Sequence, residues 1–338
     1  MRAALIDGGF GIDNVKVISR PDPAPGPGQV LIRVHAASLN YRDLLTVRGH
    51  YNPKQPLPLI PCSDGAGEVL AAGEGVTRVK PGDKVAGAFA QGWIGGRPTR
   101  EKVQATTLGG PRDGMLAELI CLHESGVVVL PDHLSYNEGA TLPCAAVTAW
   151  SALVRHGHLK AGETVLTLGT GGVSVFALQL ARLFGAEVII TSSSDAKLEC
   201  AREFGAAHTI NYREDPQWSR TVRALTNGEG VDHIVEVGGV GTLTQSTRCV
   251  AMGGNIYLIG VLAGPEAPLN LTPVLMQDVR IQGVFVGPVE AFEEMNRAIA
   301  ASGLRPVIDT VFPLDEVQEA FSYMESGEHF GKIVISMD

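Results

Sequence analysis

The chain has 338 residues, 45% of them hydrophobic and 19% charged; that balance excludes a disordered protein, and the length favours two domains over a single core. A formal net charge of -9, with no run of Lys or Arg, argues against a nucleic-acid partner, because an acidic surface repels phosphates. The cysteines (Cys62, Cys121, Cys144, Cys200 and Cys249) are odd in number and form no C-x-x-C pair, which points to a reducing, cytoplasmic compartment, while no signal-peptide pattern opens the chain and no run of about 18 apolar residues offers a membrane span.

From the start to about residue 120 the chain reads mainly as β-structure. Gln29–Ala36 and Gly67–Ala72 are short alternating runs bounded by Pro/Gly turns. Pro21–Gln29 (PDPAPGPGQ) is a stiff proline-rich turn leading into the first of them. Near Tyr136 the texture changes, and Ser135 followed by Glu138 forms a capping-box pattern that opens a helix. From Glu163 strands and helices alternate. Strands are predicted at Thr164–Leu168, Glu187–Thr191, His208–Asn211, Asp232–Glu236 and Asn255–Ile259. Helices are predicted at Val173–Phe184, Ala196–Phe204, Gln217–Thr226 and Thr242–Val250. Near-continuous apolar strands alternating with helices imply a parallel sheet covered on both faces. Arg280–Val286 extends it as a sixth strand. The next helix, Val289–Ala301, has Phe292, Met295 and Ile299 on one face, and the tail strand Lys332–Ser336 returns to the first domain.

The run Gly169-Thr170-Gly171-Gly172-Val173-Ser174 follows a predicted strand and opens a predicted helix, where backbone N–H groups and the helix dipole hold a pyrophosphate. Gly169 permits the tight turn, and Gly171 and Gly172 let the backbone approach phosphates closely. Ser174 replaces the third glycine of G-x-G-x-x-G with another small residue. Set among five alternating βα units, this motif indicates a dinucleotide-binding, doubly wound domain. At the end of the second strand, where an NAD enzyme carries an acid for the ribose hydroxyl, the chain has Ser192 and Ser193, followed by Lys197. Serines donate to a 2′-phosphate and a lysine neutralises it, so NADP(H) is favoured over NAD(H). Asp195 reads as the N-cap of the following helix.

The order of parts resembles the medium-chain dehydrogenase/reductase superfamily over nearly the whole chain. The matching stretches are Ala37–Asp43 (ASLNYRD), Ile60–Val69 (IPCSDGAGEV), Val79–Val85 (VKPGDKV), Ala140–Trp150 (ATLPCAAVTAW), Leu168–Ser174 and Asn211–Glu214 (NYRE). Among its branches the chain looks most like the zinc-independent quinone oxidoreductases, which often carry a zinc-type alcohol dehydrogenase label. The resemblance implies an α/β fold: a β-rich GroES-like catalytic domain over 1–124, completed by 270–338, and a Rossmann domain over 125–269. It also implies an active site in the cleft between them, and a homodimer or homotetramer. Relatives with catalytic zinc place a Cys at Asn40 and a His-Glu pair at Ser63-Asp64; their last Cys matches Cys144. An amide, a hydroxyl, a carboxylate and one thiol make a poor zinc set, so no zinc is expected and Cys62 and Cys144 read as buried thiols. Gln91 to Gly114 contains no cysteine, so the structural zinc lobe is absent too.

Carried over by the resemblance, Asn40 would sit beside the nicotinamide ribose and Thr148 at the nicotinamide. Tyr41, Asp43 and Tyr51 would line or support the cleft, with Asn40, Tyr41, Tyr51 and Thr148 as the catalytic set. Tyr212 would flank the adenosine. Gly238, Gly239, Gly260 and Val261 would make backbone contacts to the cofactor, Phe285, Val286 and Gly287 would reach its carboxamide, and Lys332 would approach it from the tail. Without a Lewis acid the chemistry favours acceptors that already delocalise charge, namely quinones or α,β-unsaturated carbonyls. Two other readings stand beside this one: a zinc-containing alcohol dehydrogenase with atypical ligands, and a non-catalytic NADPH-binding redox sensor or crystallin-like protein.

Overall fold

A computed structural model describes residues 1–266 and 269–337. Two compact units divide the chain: Met1–Val147 with the stretch from Gly287 onward, and Thr148–Val286. The boundaries fall later than the 124 and 269 expected from sequence. Val127–Val129 still pairs within the first unit's sheet and Arg280–Gly283 within the second's, so strand ladders, not a change of texture, set the limits.

The first unit opens with β1 (Arg2–Ile6), β2 (Val15–Ser19), β3 (Gln29–Ser38), α1 (Tyr41–Val47), β4 (Asp64–Ala72), β5 (Lys84–Gly87), α2 (Arg100–Val103), β6 (Leu119–His123), β7 (Val127–Val129) and α3 (Tyr136–Ala140). On β3, Val30, Ile32 and Val34 are buried while Arg33 is exposed, the period-two pattern of a strand with one face on a core. The expected capping box is present: Ser135 Oγ accepts from the Glu138 N–H, and the Glu138 carboxylate from the Ser135 N–H.

Helix α4 (Val147–Trp150) lies between two wider π-type segments, Leu142–Ala146 and Ser151–His156. The second unit then runs β8 (Thr164–Leu168), α5 (Gly172–Leu183), β9 (Glu187–Ser192), α6 (Asp195–Glu203), β10 (His208–Asn211), α7 (Trp218–Leu225), β11 (Val231–Glu236), α8 (Leu243–Cys249), β12 (Val250–Leu258), α9 (Leu271–Met276) and β13 (Arg280–Gly283). All six strands are parallel, in the order β10-β9-β8-β11-β12-β13. That is the doubly wound order with a reversal between β8 and β11. Val165, Leu166 and Leu168 on β8 are all buried, as a strand covered on both faces requires. Leu166, Ile189, Ile234 and Ile256 pack with Trp218 and Val222 in its core.

The chain returns to the first unit through α10 (Val289–Ser302), β14 (Ile308–Pro313), α11 (Val317–Ser326) and β15 (Lys332–Ser336). Phe292, Met295 and Ile299 are all buried, and Gly303 ends α10 in the left-handed conformation (φ 68°) that a glycine adopts without a Cβ clash. The first unit's seven-stranded sheet has the order β14-β15-β3-β4-β5-β7, with β6 also on β3. Ile333 and Ile335 of the tail join Ile32, Val69, Val85, Leu116 and Phe321 in one core.

Candidate functional site

The glycine turn stands where the parallel sheet needs it. Gly169 follows β8 with φ 72°, a backbone conformation that Gly adopts freely. Gly171 caps α5 with extended dihedrals and no side-chain capping bond. A Cβ added at Gly169 or at Gly171 would meet nothing within 4 Å, so the turn borders open space rather than packed side chains. Ser174 is buried and its hydroxyl donates to Leu168 O at 2.7 Å, drawing the helix onto the strand as the missing glycine would. Thr170, just before the cap, is buried, and Gly172 and Val173, the first residues of the twelve-residue helix, are half-buried. The residues present therefore fit a dinucleotide pyrophosphate.

The other cofactor candidates of this unit follow the carboxyl ends of its parallel strands, on one edge of the sheet. Ser192 ends β9, buried, and accepts from the Ser194 N–H at 3.3 Å; Ser193 and Lys197 are half-buried. Asp195 is not the N-cap of α6. Ser194 fills that place with extended dihedrals, its Oγ accepting from the Lys197 N–H at 3.5 Å. Asp195 is the first helical residue, and its carboxylate accepts from Asn211 Nδ2 at 2.8 Å. Tyr212 is exposed after β10. Gly238 and Gly239 follow β11, and Gly260 and Val261 follow β12. Phe285 is exposed and Val286 buried after β13. Val286 has φ 45°, an uncommon conformation for a β-branched residue. Thr148 is buried in α4.

In the first unit a second group converges on the start of α1. The Asn40 N–H donates to Asp43 Oδ2 at 2.9 Å, and Arg42 pairs with Asp43 Oδ1 at 3.2 Å. Lys332, at the start of β15, is buried and donates to Leu39 O and to Asn40 Oδ1, each at 2.6 Å. An ammonium has no acceptor, so this bond fixes which end of the amide is oxygen. Asp64 is fully buried; its carboxylate accepts from Ser63 Oγ at 2.6 Å and from the Cys144 N–H at 3.0 Å. Burial pushes its pKa up to about 6, against the opposing pull of Lys332, the Ser63 hydroxyl and the Asn40 amide. Asp43 is raised too, first by burial and against the pull of Arg42. Cys62 is buried with φ 73°, its thiol pushed up by loss of solvent. Cys144, on the π-type turn Leu142–Ala146, is half-buried rather than buried; desolvation and Asp64 raise its thiol as well. Tyr41 and Tyr51 are both nearly half exposed, and the Arg42 guanidinium lies 4.9 Å from the Tyr51 ring centre. Gly287 is half-buried at the point where the chain re-enters this unit.

Sequence reasoning gave no role to Glu236, the last residue of β11. It is fully buried, and its carboxylate accepts from the Gly238 N–H (2.9 Å), the Gly239 N–H (3.1 Å), Ser246 Oγ (2.6 Å) and Thr242 Oγ1. The signal was an acid ending an apolar strand just before two glycines.

A doubly wound parallel sheet with an open glycine turn at its carboxyl edge, in a chain with a second β-rich unit, defines a two-domain dinucleotide-binding protein. Residues 172–301 match the family model of zinc-binding dehydrogenases, and residues 26–132 match the alcohol dehydrogenase GroES-like domain. A zinc-type alcohol dehydrogenase-like protein of Schizosaccharomyces pombe is 46% identical over 318 residues, covering 92% of each chain. A quinone oxidoreductase-like protein 2 homolog of Nematostella vectensis is 30% identical, covering 92% of this chain and 82% of its own. Among solved structures, one described as an NAD-dependent alcohol dehydrogenase superposes with a TM-score of 0.91 at 34% identity, over the full length of both chains. The chain belongs to the medium-chain dehydrogenase/reductase superfamily, as its motifs led one to expect. It is an oxidoreductase, and the family implies a nicotinamide cofactor and a small-molecule substrate.

The zinc in the family's description does not fit the residues. Among the described residues no group of three or more His, Cys, Asp or Glu is placed to hold a metal. At the Asn40, Ser63, Asp64 and Cys144 positions the Asn40 oxygen is taken by Lys332, the Asp64 carboxylate by Ser63 and the Cys144 N–H, and only Cys144 offers a sulfur ligand. Zinc asks for deprotonated thiolate, imidazole or open carboxylate ligands.

Proposed function

We propose that this chain is an NADPH-dependent reductase that transfers hydride to a quinone or an α,β-unsaturated carbonyl without zinc. The observation that carries the reading is the donor set around Asn40 and Asp64, where the Asn40 side-chain oxygen accepts from Lys332 and the Asp64 carboxylate accepts from Ser63 Oγ and the Cys144 N–H. Without a Lewis acid, a plain ketone or alcohol lacks the polarisation it needs, while a quinone or enone delocalises incoming charge by itself. When bound, the nicotinamide cofactor supplies the hydride. The chain's part is to hold and orient. The α5 N-terminus with Gly169–Val173 takes the pyrophosphate, and Ser192, Ser193 and Lys197 suit a 2′-phosphate. Tyr41 and Tyr51 are each nearly half exposed and carry hydroxyls that can donate to an acceptor oxygen, and water can protonate a reduced quinone, whose hydroxyl resembles a phenol of pKa about 10.

The preference for NADPH rests on the serines and lysine and departs from the NAD named for one similar structure. We further place the protein in a reducing, cytoplasmic compartment, in keeping with its free cysteines, and assign it a homodimer or homotetramer, in keeping with the exposed apolar side chains of α9. The test is a panel assay: NADPH and NADH against benzoquinone, an enone, an enal, a simple aldehyde and an alcohol, with and without a chelator, on protein of measured metal content. Turnover of quinone or enone that survives chelation, with the lower KM for NADPH, is expected. Activity that vanishes on chelation and returns with zinc overturns the metal-free reading; a lower KM for NADH overturns the cofactor choice. Unchanged turnover in both Tyr41→Phe and Tyr51→Phe removes the hydroxyls from the mechanism.

A further inference from the structure

The reversal of strand order between β8 and β11 marks where a doubly wound sheet opens a crevice at the carboxyl ends of its strands. The Gly169 turn forms one wall, and the turn after β11 therefore forms the other. That second turn is built around one carboxylate. Glu236 takes the N–H groups of Gly238 and Gly239 and the hydroxyls of Thr242 and Ser246, so it binds the turn to the first residues of α8. The turn in turn anchors the segment after β12. Leu262 and Ala263 donate to Val237 O (3.1 Å) and Gly238 O (2.8 Å), and Val240 donates to Gly264 O (3.2 Å). Little slack is left: a Cβ on Gly238 would stand 2.3 Å from Thr242 Oγ1, and one on Gly239 2.7 Å from Gly264 O.

We propose that Glu236 is a positioning residue for dinucleotide binding: it touches no ligand, but it holds the far wall of the crevice, and through it the segment after β12, in the binding-competent arrangement. This role rests on the dinucleotide reading of the Gly169 turn and deepens it. Four donors aimed at one buried carboxyl give that wall a single low-energy arrangement; with the carboxyl removed, the same donors must find water or one another, and the wall samples others. It also follows that the Gly238 and Gly239 N–H groups are already used, so this wall does not compete with the α5 N-terminus for the pyrophosphate.

The experiment measures NADPH and NADH affinity of the full chain by titration calorimetry, for wild type, Glu236→Ala, Glu236→Asp and Thr242→Val, each checked for folding by circular dichroism. If only about a tenth of Glu236→Ala molecules hold the competent wall, its Kd rises about tenfold. Glu236→Asp, which keeps the charge but shortens the reach, is expected between the two, and Thr242→Val, which removes one donor and spares the rest, at about threefold. With any acceptor that the wild type reduces, the loss is expected in KM for the cofactor and not in kcat. Should Glu236→Ala fail to fold, the Asp and Val variants carry the same comparison. A folded variant set with wild-type Kd overturns the role of Glu236 while leaving the dinucleotide reading intact. A wild type that binds neither nucleotide overturns both, and one that binds but reduces no acceptor overturns only the choice of acceptor.

Discussion

Asp64 carries a carboxyl to a place that water does not reach, next to a second buried acid, Asp43. Its pKa of about 6 in the fold lies above the aspartate value of about 4 in an unfolded chain. Below both values the residue is neutral in either state. Between them the folded protein holds a proton that the unfolded chain has released, so stability falls as pH rises through that window and then levels off. About two pKa units correspond to about 3 kcal/mol. The Asp64→Asn variant should lack this slope. Urea unfolding of both proteins between pH 4 and pH 7 is expected to show the variant gaining on the wild type, mostly between pH 4 and pH 6. A constant difference across that range means that Asp64 titrates normally in the fold. Asn40 shows the same economy of atoms: its N–H serves Asp43 and its oxygen serves Lys332, which makes it an anchor of the first unit's polar cluster before any ligand arrives.

Secondary-structure elements place the chemistry, and the turn from β8 to α5 shows how far one can be tested without the other. Gly171 has ordinary dihedrals (φ −78°) and a Cβ there meets open space, so Gly171→Val should fold with stability within about 1 kcal/mol of wild type, since no packing or backbone term opposes it. Its side chain, however, projects where a pyrophosphate would approach, and NADPH affinity should fall at least about tenfold. Gly169→Ala differs because its φ of 72° strains any side chain, at about 1–2 kcal/mol, so it should lose stability and affinity together. Equal losses of stability in the two variants would remove the distinction. Much at this scale was legible in the sequence, because strand alternation, apolar runs and capping pairs are local. The five expected strands of the parallel sheet, the glycine turn and the capping box at Ser135 all stand where local chemistry puts them. What differed was one cap residue, the ends of two strands (β12 begins at Val250 and β13 stops at Gly283), or contacts of long range. Ser194 displaces Asp195 as the cap of α6 because Asp195 is drawn to Asn211, 16 residues away. Lys332 reaches Asn40 across 292 residues, and nothing local in the tail foretells that partner. The compact units reach past residues 124 and 269 because β7 and β13 are held by their ladder partners, which composition does not show.

At the scale of the whole molecule, the surface of the second unit carries a feature its own fold does not use. Helix α9 buries none of its residues: Leu271, Leu275 and Met276 are 66%, 79% and 70% exposed. It directly precedes β13, which forms one end of the parallel sheet and, among the described residues, pairs with β12 alone, so its outer backbone groups lack a described strand partner in that sheet. An apolar helix beside an unpaired strand edge invites association, and isologous pairing of identical copies is the commonest closed solution. The homodimer or homotetramer proposed above is therefore expected to form a contact over α9 and β13. A charge placed in the middle of that patch should be tolerated by the monomer, because Leu275 buries little of its surface in it, and should oppose its own image across a two-fold contact. Leu275→Glu is accordingly expected to keep the wild-type circular dichroism and NADPH affinity while light scattering reports a mass near the 35.6 kDa of one chain instead of a multiple of it. A variant that keeps the wild-type mass moves the contact to another surface. A wild type that is already monomeric leaves α9 as exposed apolar surface with no copy to cover it, and the assignment of a homo-oligomer fails.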